Sequence, residues 1–174
     1  MRVFLSGRPR TGKTTFCLRS YEILKRNGIK VGGVITREIV RNRRREGFEI
    51  LNLKSGERIP LAHIRGSGPR VGKYRVFVEN IDRMISWMKD ALREDDFLII
   101  DEIGPMELLS KDFLKAVDEV INSGKDFIIT VHLKKIKIVE RYKPYTLFVL
   151  TFENRNEIWE NLKSMLFRYI KRKI

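Results

Sequence analysis

Gly7-Arg8-Pro9-Arg10-Thr11-Gly12-Lys13-Thr14 is the stretch on which the reading of this chain turns. Its spacing is G-x-x-x-x-G-K-[ST]. Two glycines let the backbone wrap tightly, so that successive N–H groups point inward at an anion. An apolar run, Val3 to Leu5, leads directly into Gly7, and a segment with helical spacing runs from Lys13 to Asn27 before Gly28 stops it. That order turns the positive end of the helix towards the same anion. The pattern also occurs by chance in ordinary turns, but a strand before it and a helix after it favour a phosphate cradle. In that cradle Lys13 reaches the β- and γ-phosphates and the Thr14 hydroxyl ligates Mg²⁺. The candidate nucleotide-binding residues are therefore Gly7, Arg8, Pro9, Arg10, Thr11, Gly12, Lys13, Thr14 and Thr15.

Outward from the loop, short apolar runs alternate with longer amphipathic segments, which argues for an α/β fold with a mainly parallel sheet. Val31 to Glu38 reads as a second strand, Arg41 to Gly47 as a polar, basic turn, and Phe48 to Leu53 as the returning strand. Residues 37–63 are thus expected to form an antiparallel hairpin extension. Ile81, Met84, Ile85, Met88 and Leu92 repeat at helical spacing, as do Phe113, Leu114, Val117, Val120 and Ile121. Phe127 to Val131 and Leu147 to Leu150 read as buried strands, and residues 155–169 as a closing helix. No linker, repeat or low-complexity tract interrupts residues 1–174, so one domain is expected.

Phe97-Leu98-Ile99-Ile100-Asp101-Glu102 is a continuous apolar run ending in two acids. In a phosphate-binding α/β fold such a strand delivers an acid to Mg²⁺ from the side opposite the loop. Asp101 is the candidate for the metal and Glu102 for the general base that orients the attacking water. The bland alternative is a strand that ends in acids at the solvent edge. Taken together, these features predict a Mg²⁺-dependent enzyme hydrolysing nucleoside triphosphates, with Lys13 and Glu102 as its catalytic residues. Transfer of the phosphoryl group to an acceptor, as in nucleotide or nucleoside kinases, is the alternative on the same fold.

The chain carries 36 Lys and Arg against 22 Asp and Glu, a formal net charge of +14, which attracts polyanions. The densest basic runs, Arg41 to Arg45 and Lys171 to Lys173, contain no interleaved aromatics, so a nucleotide-regulated nucleic-acid-binding protein is the less favoured reading. One cysteine, Cys17, excludes an internal disulfide and suits a reducing compartment. The N-terminus lacks the pattern of a secretory leader and no apolar stretch is long enough for a membrane span, so a cytoplasmic protein is expected. Gln is absent while Lys, Arg and Glu abound, a composition that leans towards a thermophile.

The loop, together with Asp101-Glu102-Ile103-Gly104-Pro105-Met106-Glu107 and Glu153-Asn154-Arg155, resembles the small THEP-type nucleoside triphosphatases, called cancer-related nucleoside triphosphatases in animals. Val34-Ile35-Thr36-Arg37-Glu38, Gly47-Phe48, Ile59-Pro60-Leu61-Ala62 and Val71-Gly72-Lys73-Tyr74 fall where that family has comparable segments. The resemblance implies a three-layer, RecA-like P-loop fold and slow, Mg²⁺-dependent hydrolysis of ATP, GTP and other triphosphates with broad base specificity. It also implies a strand between the loop strand and the acidic strand. Residues 127–131 fit that position, which brings Thr130 and His132 towards the γ-phosphate.

Two readings stand for His132, a γ-phosphate sensor or a structural residue at a strand end. Arg155 is a candidate contact to the nucleotide. Asn154, with Glu157 three residues on, reads as a helix N-cap with its reciprocal partner. Glu107 belongs either to the site or to the start of the next helical segment. Arg65, Arg70 and Lys73 flank a glycine-rich stretch that either closes over substrate or forms a plain surface loop.

Overall fold

The computed structural model describes all residues from Met1 to Ile174. Nine strands form one sheet: β1 (Arg2–Gly7), β2 (Val31–Arg41), β3 (Arg44–Asn52), β4 (Arg58–His63), β5 (Arg70–Val71), β6 (Tyr74–Val76), β7 (Phe97–Ile103), β8 (Asp126–His132) and β9 (Thr146–Leu150). Their spatial order is β5-β6-β4-β3-β2-β7-β8-β1-β9. From β2 to β9 the neighbours are parallel, and from β2 outward to β5 they are antiparallel. Four helices cover the faces: α1 (Lys13–Arg26), α2 (Val78–Glu94), α3 (Phe113–Asn122) and α4 (Arg155–Lys173).

The three layers follow from the two-residue period of the strands. In β7, Leu98 and Ile100 join one core with α2 and α3, while Phe97 and Ile99 join the other with α1 and α4. In β1, Phe4 faces the first core, and Val3 and Leu5 the second. All seven of these side chains are fully buried. A strand covered on both faces needs apolar residues at every position, which is why these runs are continuous. In α2 the predicted face is the buried one: Ile81, Met84, Ile85 and Met88 pack against the sheet, with Leu92 half-buried.

Several boundaries differ from expectation. The basic turn shrinks to Asn42 and Arg43, both at positive φ, and the strands extend to Arg41 and Arg44. Pairing continues through the arginines because alternate side chains leave the sheet on opposite faces, so a basic run need not be a loop. The sequence predicts a buried strand over 147–150, but β9 is the edge of the sheet, with Val149 exposed and only Leu150 fully covered. Asn154 does not cap α4. Its side-chain oxygen accepts from the Thr151 backbone N–H at 2.8 Å and its amide donates to the Val149 carbonyl at 3.0 Å. The amide has more to satisfy in the turn after β9 than at the helix end.

Gly33 lets β2 and β7 approach at the centre of the sheet. Its φ is +123°, and a Cβ there would lie 2.0 Å from the Ile99 carbonyl oxygen. Gly33→Ala is expected to lose about 3 kcal/mol or more of stability in denaturant titration. Gly28→Ala, at φ +76° but with nothing within 4 Å, is expected to lose only about 1 kcal/mol.

Candidate active site

The parallel strands β1, β7, β8 and β2 all deliver their carboxyl ends to one rim of the sheet, where such folds bind ligands. The loop after β1 is held together by its own polar groups. The Thr11 hydroxyl donates to the Arg8 carbonyl at 2.8 Å, and the Lys13 ammonium donates to the carbonyls of Gly7 at 2.9 Å and Arg8 at 3.1 Å. Lys13 therefore folds back across the loop, with its charge directly over the space the loop encloses. Gly12 has φ +111° and α1 begins at the next residue.

Asp101 sits at the rim of β7, only 2% exposed. Its Oδ2 accepts from the Thr14 hydroxyl at 2.7 Å and its Oδ1 from the Thr130 hydroxyl at 2.5 Å. Burial raises the Asp101 pKa, and the two hydroxyls and Lys13 oppose that rise. Thr14 and Asp101 thus present a hydroxyl and a carboxylate oxygen side by side. That donor pair fits a hard divalent ion completing its shell with phosphate oxygens and water. No group of three or more His, Cys, Asp or Glu side chains forms a cage of its own.

Glu102 follows on the strand and is pushed up to about 7, first by burial and then by the negative charge of Asp101. Glu107, at the start of a short 3-10 turn (Glu107–Leu109), is buried and packs beside it. A Cβ on Gly104 would lie 2.9 Å from an oxygen of each of these two carboxyls, so the glycine between them makes room for the pair. Burial, followed by the charge of Glu102, holds Glu107 well above the usual carboxylate range. A carboxylate whose pKa lies near 7 is a stronger base than an ordinary one, the property that general-base chemistry near neutral pH uses.

A single cleft of about 620 Å³ joins these groups. Pro9, Arg10, Gly12, Lys13, Thr14 and Thr15 form its floor, and Asp101, Glu102, Glu107 and His132 one wall. The opposite wall comes from the hairpin region: Thr36, Arg37, Glu38, Arg45, Phe48, Leu61 and Val71. His132 is half-buried at the end of β8, and burial followed by the Lys13 charge lowers its pKa, so it is neutral at pH 7. Its Nδ1 accepts from the Lys134 N–H at 3.2 Å.

The sequence pointed to the floor and the acidic wall but not to the hairpin wall. By sequence Arg45 belongs to a basic run that reads as a solvated face, whereas it donates to the Glu38 carboxylate at 2.7 Å and to the Tyr74 hydroxyl at 2.8 Å. The available signal was an acid on one strand and a base just past the turn. Of the glycine-rich stretch only Val71 reaches the cleft; Arg65, Arg70 and Lys73 are exposed. Arg8 is exposed at the rim and Arg155 lies outside the cleft, over the Phe152 ring at 5.7 Å.

The buried Glu107 has a consequence for stability. A carboxyl whose folded pKa exceeds its unfolded value, ordinarily 4.5, costs stability as pH rises above that value, because the unfolded chain ionises first. Glu107→Gln, measured without divalent ions or nucleotide, is expected to match the parent near pH 4.5 and exceed it by about 1–3 kcal/mol at pH 8. Chemical unfolding at several pH values checks this; a mutant that parallels the parent across the range contradicts it.

A family model described as NTPase matches residues 2–163. A nucleoside-triphosphatase THEP1 of Pyrococcus abyssi is 46% identical over 164 residues, spanning 93% of this chain and 90% of its own. That of Methanocaldococcus jannaschii is 41% identical over 173 residues, spanning 98% and 100%. The crystal structure of THEP1 from the hyperthermophile Aquifex aeolicus superposes with a TM-score of 0.81 at 30% identity, covering 95% of this chain and 99% of that one. The solution structure of a human cancer-related nucleoside triphosphatase gives 0.79, also at 30% identity, covering 95% and 96%. Enzymes of this kind generally use a divalent metal, and no helix here is long and apolar enough to cross a membrane. A phosphate loop facing a buried acid, on a fold shared along almost its whole length with these enzymes, leads to one conclusion: the chain belongs to the THEP1 family of nucleoside-triphosphatases, enzymes built on the P-loop fold.

Proposed function

We propose that this enzyme hydrolyses ATP, GTP and the other nucleoside triphosphates to diphosphate and phosphate, with Mg²⁺ and little preference for the base, as a single domain in the cytoplasm. The observation that carries the proposal is the Thr14–Asp101 hydrogen bond at 2.7 Å, with Glu102 the next residue in the same cleft. In this reading backbone N–H groups of residues 7–15 hold the phosphates and Lys13 neutralises the β- and γ-oxygens. Thr14 and Asp101 hold the metal, which when bound offsets the charge developing on the phosphate oxygens. Glu102 orients a water in line with the γ-phosphorus and accepts its proton. Neutral His132, at the strand end facing the loop, contacts the γ-phosphate.

The base is placed by the turn after β9. Gly7 pairs with Leu150 in the β1–β9 register, so this turn lies beside the phosphate loop. Phe152 there is 60% exposed, with Arg155 against its ring. Stacking on an aromatic or a guanidinium accepts any base, which supports broad specificity.

Phosphate release from ATP, GTP, CTP and UTP, with Mg²⁺ and with chelator, tests the proposal. All four are expected as substrates, with activity lost to the chelator. Glu102→Ala is expected to lower kcat about 10²–10³-fold, and Lys13→Ala to lower kcat/KM at least as much. Hydrolysis unchanged by Lys13→Ala would sink the site assignment. The composition and the relatives recommend assays at elevated temperature.

A second reading has one observation in its favour. Beyond Glu102, on the side away from the loop, the cleft continues between Phe48, Leu61, Val71 and Met106, room that a hydroxyl acceptor would fit. Phosphorylation of a nucleoside or nucleotide supplied with ATP would support transfer; phosphate as the sole product retains hydrolysis.

A further inference from the structure

We propose that Arg45 is a catalytic arginine of this enzyme, supplied by its own hairpin, which contacts the γ-phosphoryl group as it leaves the diphosphate. The proposal rests on the hydrolysis reading and adds a group to it. Phosphoryl transfer places extra negative charge on oxygens between the attacking water and the leaving group, and a positioned guanidinium there accelerates it greatly. The question is which of the many arginines is so positioned.

Three arginines reach the cleft: Arg10, Arg37 and Arg45. Arg10 stands in the loop with its side chain 71% exposed, and its nearest acid is Glu38 at 3.9 Å, so solvent screens it and nothing fixes its direction. The Arg37 side chain makes no hydrogen bond or ion pair to the protein, and ordering it would cost side-chain entropy at each turnover. Arg45 differs from both. Its Nη1 donates to Glu38 at 2.7 Å, its Nε donates to the Tyr74 hydroxyl at 2.8 Å, and its guanidinium lies against the Phe48 ring at 5.2 Å.

Two of its three nitrogens are thereby tied to the wall. The third, Nη2, makes no hydrogen bond to the protein and is left for a ligand in the cleft shared with Lys13 and Glu102. A donor fixed before the reaction stabilises charge without reorganising, which is the condition for a large electrostatic contribution. Its fork also explains the choice of residue: the three donors of a lysine radiate from a single nitrogen, whereas the guanidinium spreads its bonds to Glu38 and Tyr74 over two nitrogens and presents the third in the same plane. Position in the sheet agrees. Ile35 of β2 lies beside Asp101 of β7, so Glu38 and the Arg45 it holds overhang the rim on the acidic strand's far side from the loop. Glu102, the next residue after Asp101, lines the same cleft beside that overhang.

The test compares the parent with Arg45→Ala, Arg45→Lys, Tyr74→Phe and Arg43→Ala in steady-state hydrolysis. Affinity for MgADP, and formation of the MgADP–aluminium fluoride complex that mimics the transferring group, are measured alongside. Arg45→Ala is expected to lower kcat about 10²–10³-fold with KM within about threefold. MgADP affinity should be unchanged and the fluoride complex lost. Arg45→Lys is expected to restore at most a few per cent of the rate, Tyr74→Phe to cost a few-fold, and Arg43→Ala, at the exposed hairpin tip, to cost nothing measurable. A purely structural Arg45 would lower thermal stability and MgADP affinity together while still forming the fluoride complex with the protein that remains folded. The proposal is overturned by that outcome, by kcat within twofold of the parent, or by a loss confined to KM. Its failure is separable from failure of the hydrolysis site: an active Arg45→Ala beside a dead Lys13→Ala removes only the arginine.

Discussion

A carboxylate taken out of water costs several kcal/mol unless its oxygens are met, and the carboxylate of Asp101 is almost wholly covered. The groups that meet it come from three different elements: the Thr14 hydroxyl from the first turn of α1, the Thr130 hydroxyl from β8, and backbone at Thr36 of β2. The arrangement works only if β7 lies between β2 and β8 and if α1 starts where the loop ends. Sheet order and site are therefore one requirement. A strand shift of one residue would turn Asp101 to the opposite face, away from Thr14. It would also expose Phe97 and Ile99 to the wrong core.

From that fixed point the neighbouring acids follow. Glu102 and Glu107 share the wall with Asp101, and each carboxyl raises the next because little water separates them. Lys13 is the nearest counter-charge, and it is occupied with the loop carbonyls. Three acids so placed hold fewer than three negative charges near neutrality. Protons stand in for cations there, so binding a divalent ion beside them is coupled to release of protons.

How much of this could be read from the sequence depends on how far apart the cooperating residues lie. The loop is eight contiguous residues, and the acidic strand is a run of four apolar residues closed by two acids, so local pattern carries both. The parallel core was legible for the same reason: a strand buried on both faces shows itself as an unbroken apolar run. That rule misleads at β9, where Leu147 to Leu150 has the same appearance but lies at the edge, because nothing in a strand's own residues says whether a neighbour covers it. Asn154 shows the limit of cap signatures. Its spacing to Glu157 suits a cap, yet three partners in the preceding turn claim its side chain and N–H. The hairpin wall was least legible, since Arg45 finds Tyr74 across 29 residues and Glu38 across a turn. A basic run predicts a solvated face on average; a single member with an acid and a phenol to hold it escapes the average.

The net charge of +14 gains a different meaning once its distribution is seen. In the cleft, Arg10, Lys13, Arg37 and Arg45 stand against Glu38, Asp101, Glu102 and Glu107, so formal charges there balance at four against four. The surplus lies elsewhere, for example at the exposed end of α4, where Lys171 to Lys173 complement the helix dipole. What distinguishes the cleft is alternation, not excess: Lys13 on the loop is the cation nearest Asp101 and Glu102, and Glu38 on the hairpin stands between Arg10 at 3.9 Å and Arg45 at 2.7 Å. A bare polyanion entering the cleft meets these acids as well as the cations and is repelled by them. A polyanion carrying a divalent cation meets cations where its phosphates lie and acids where its metal lies. Such alternation favours a metal-bound triphosphate over a free one or over an extended polyanion, whose uniform charge cannot match it. The charge pattern of the cleft, more than the total charge of the chain, argues for a nucleotide and against nucleic acid as the occupant of this site.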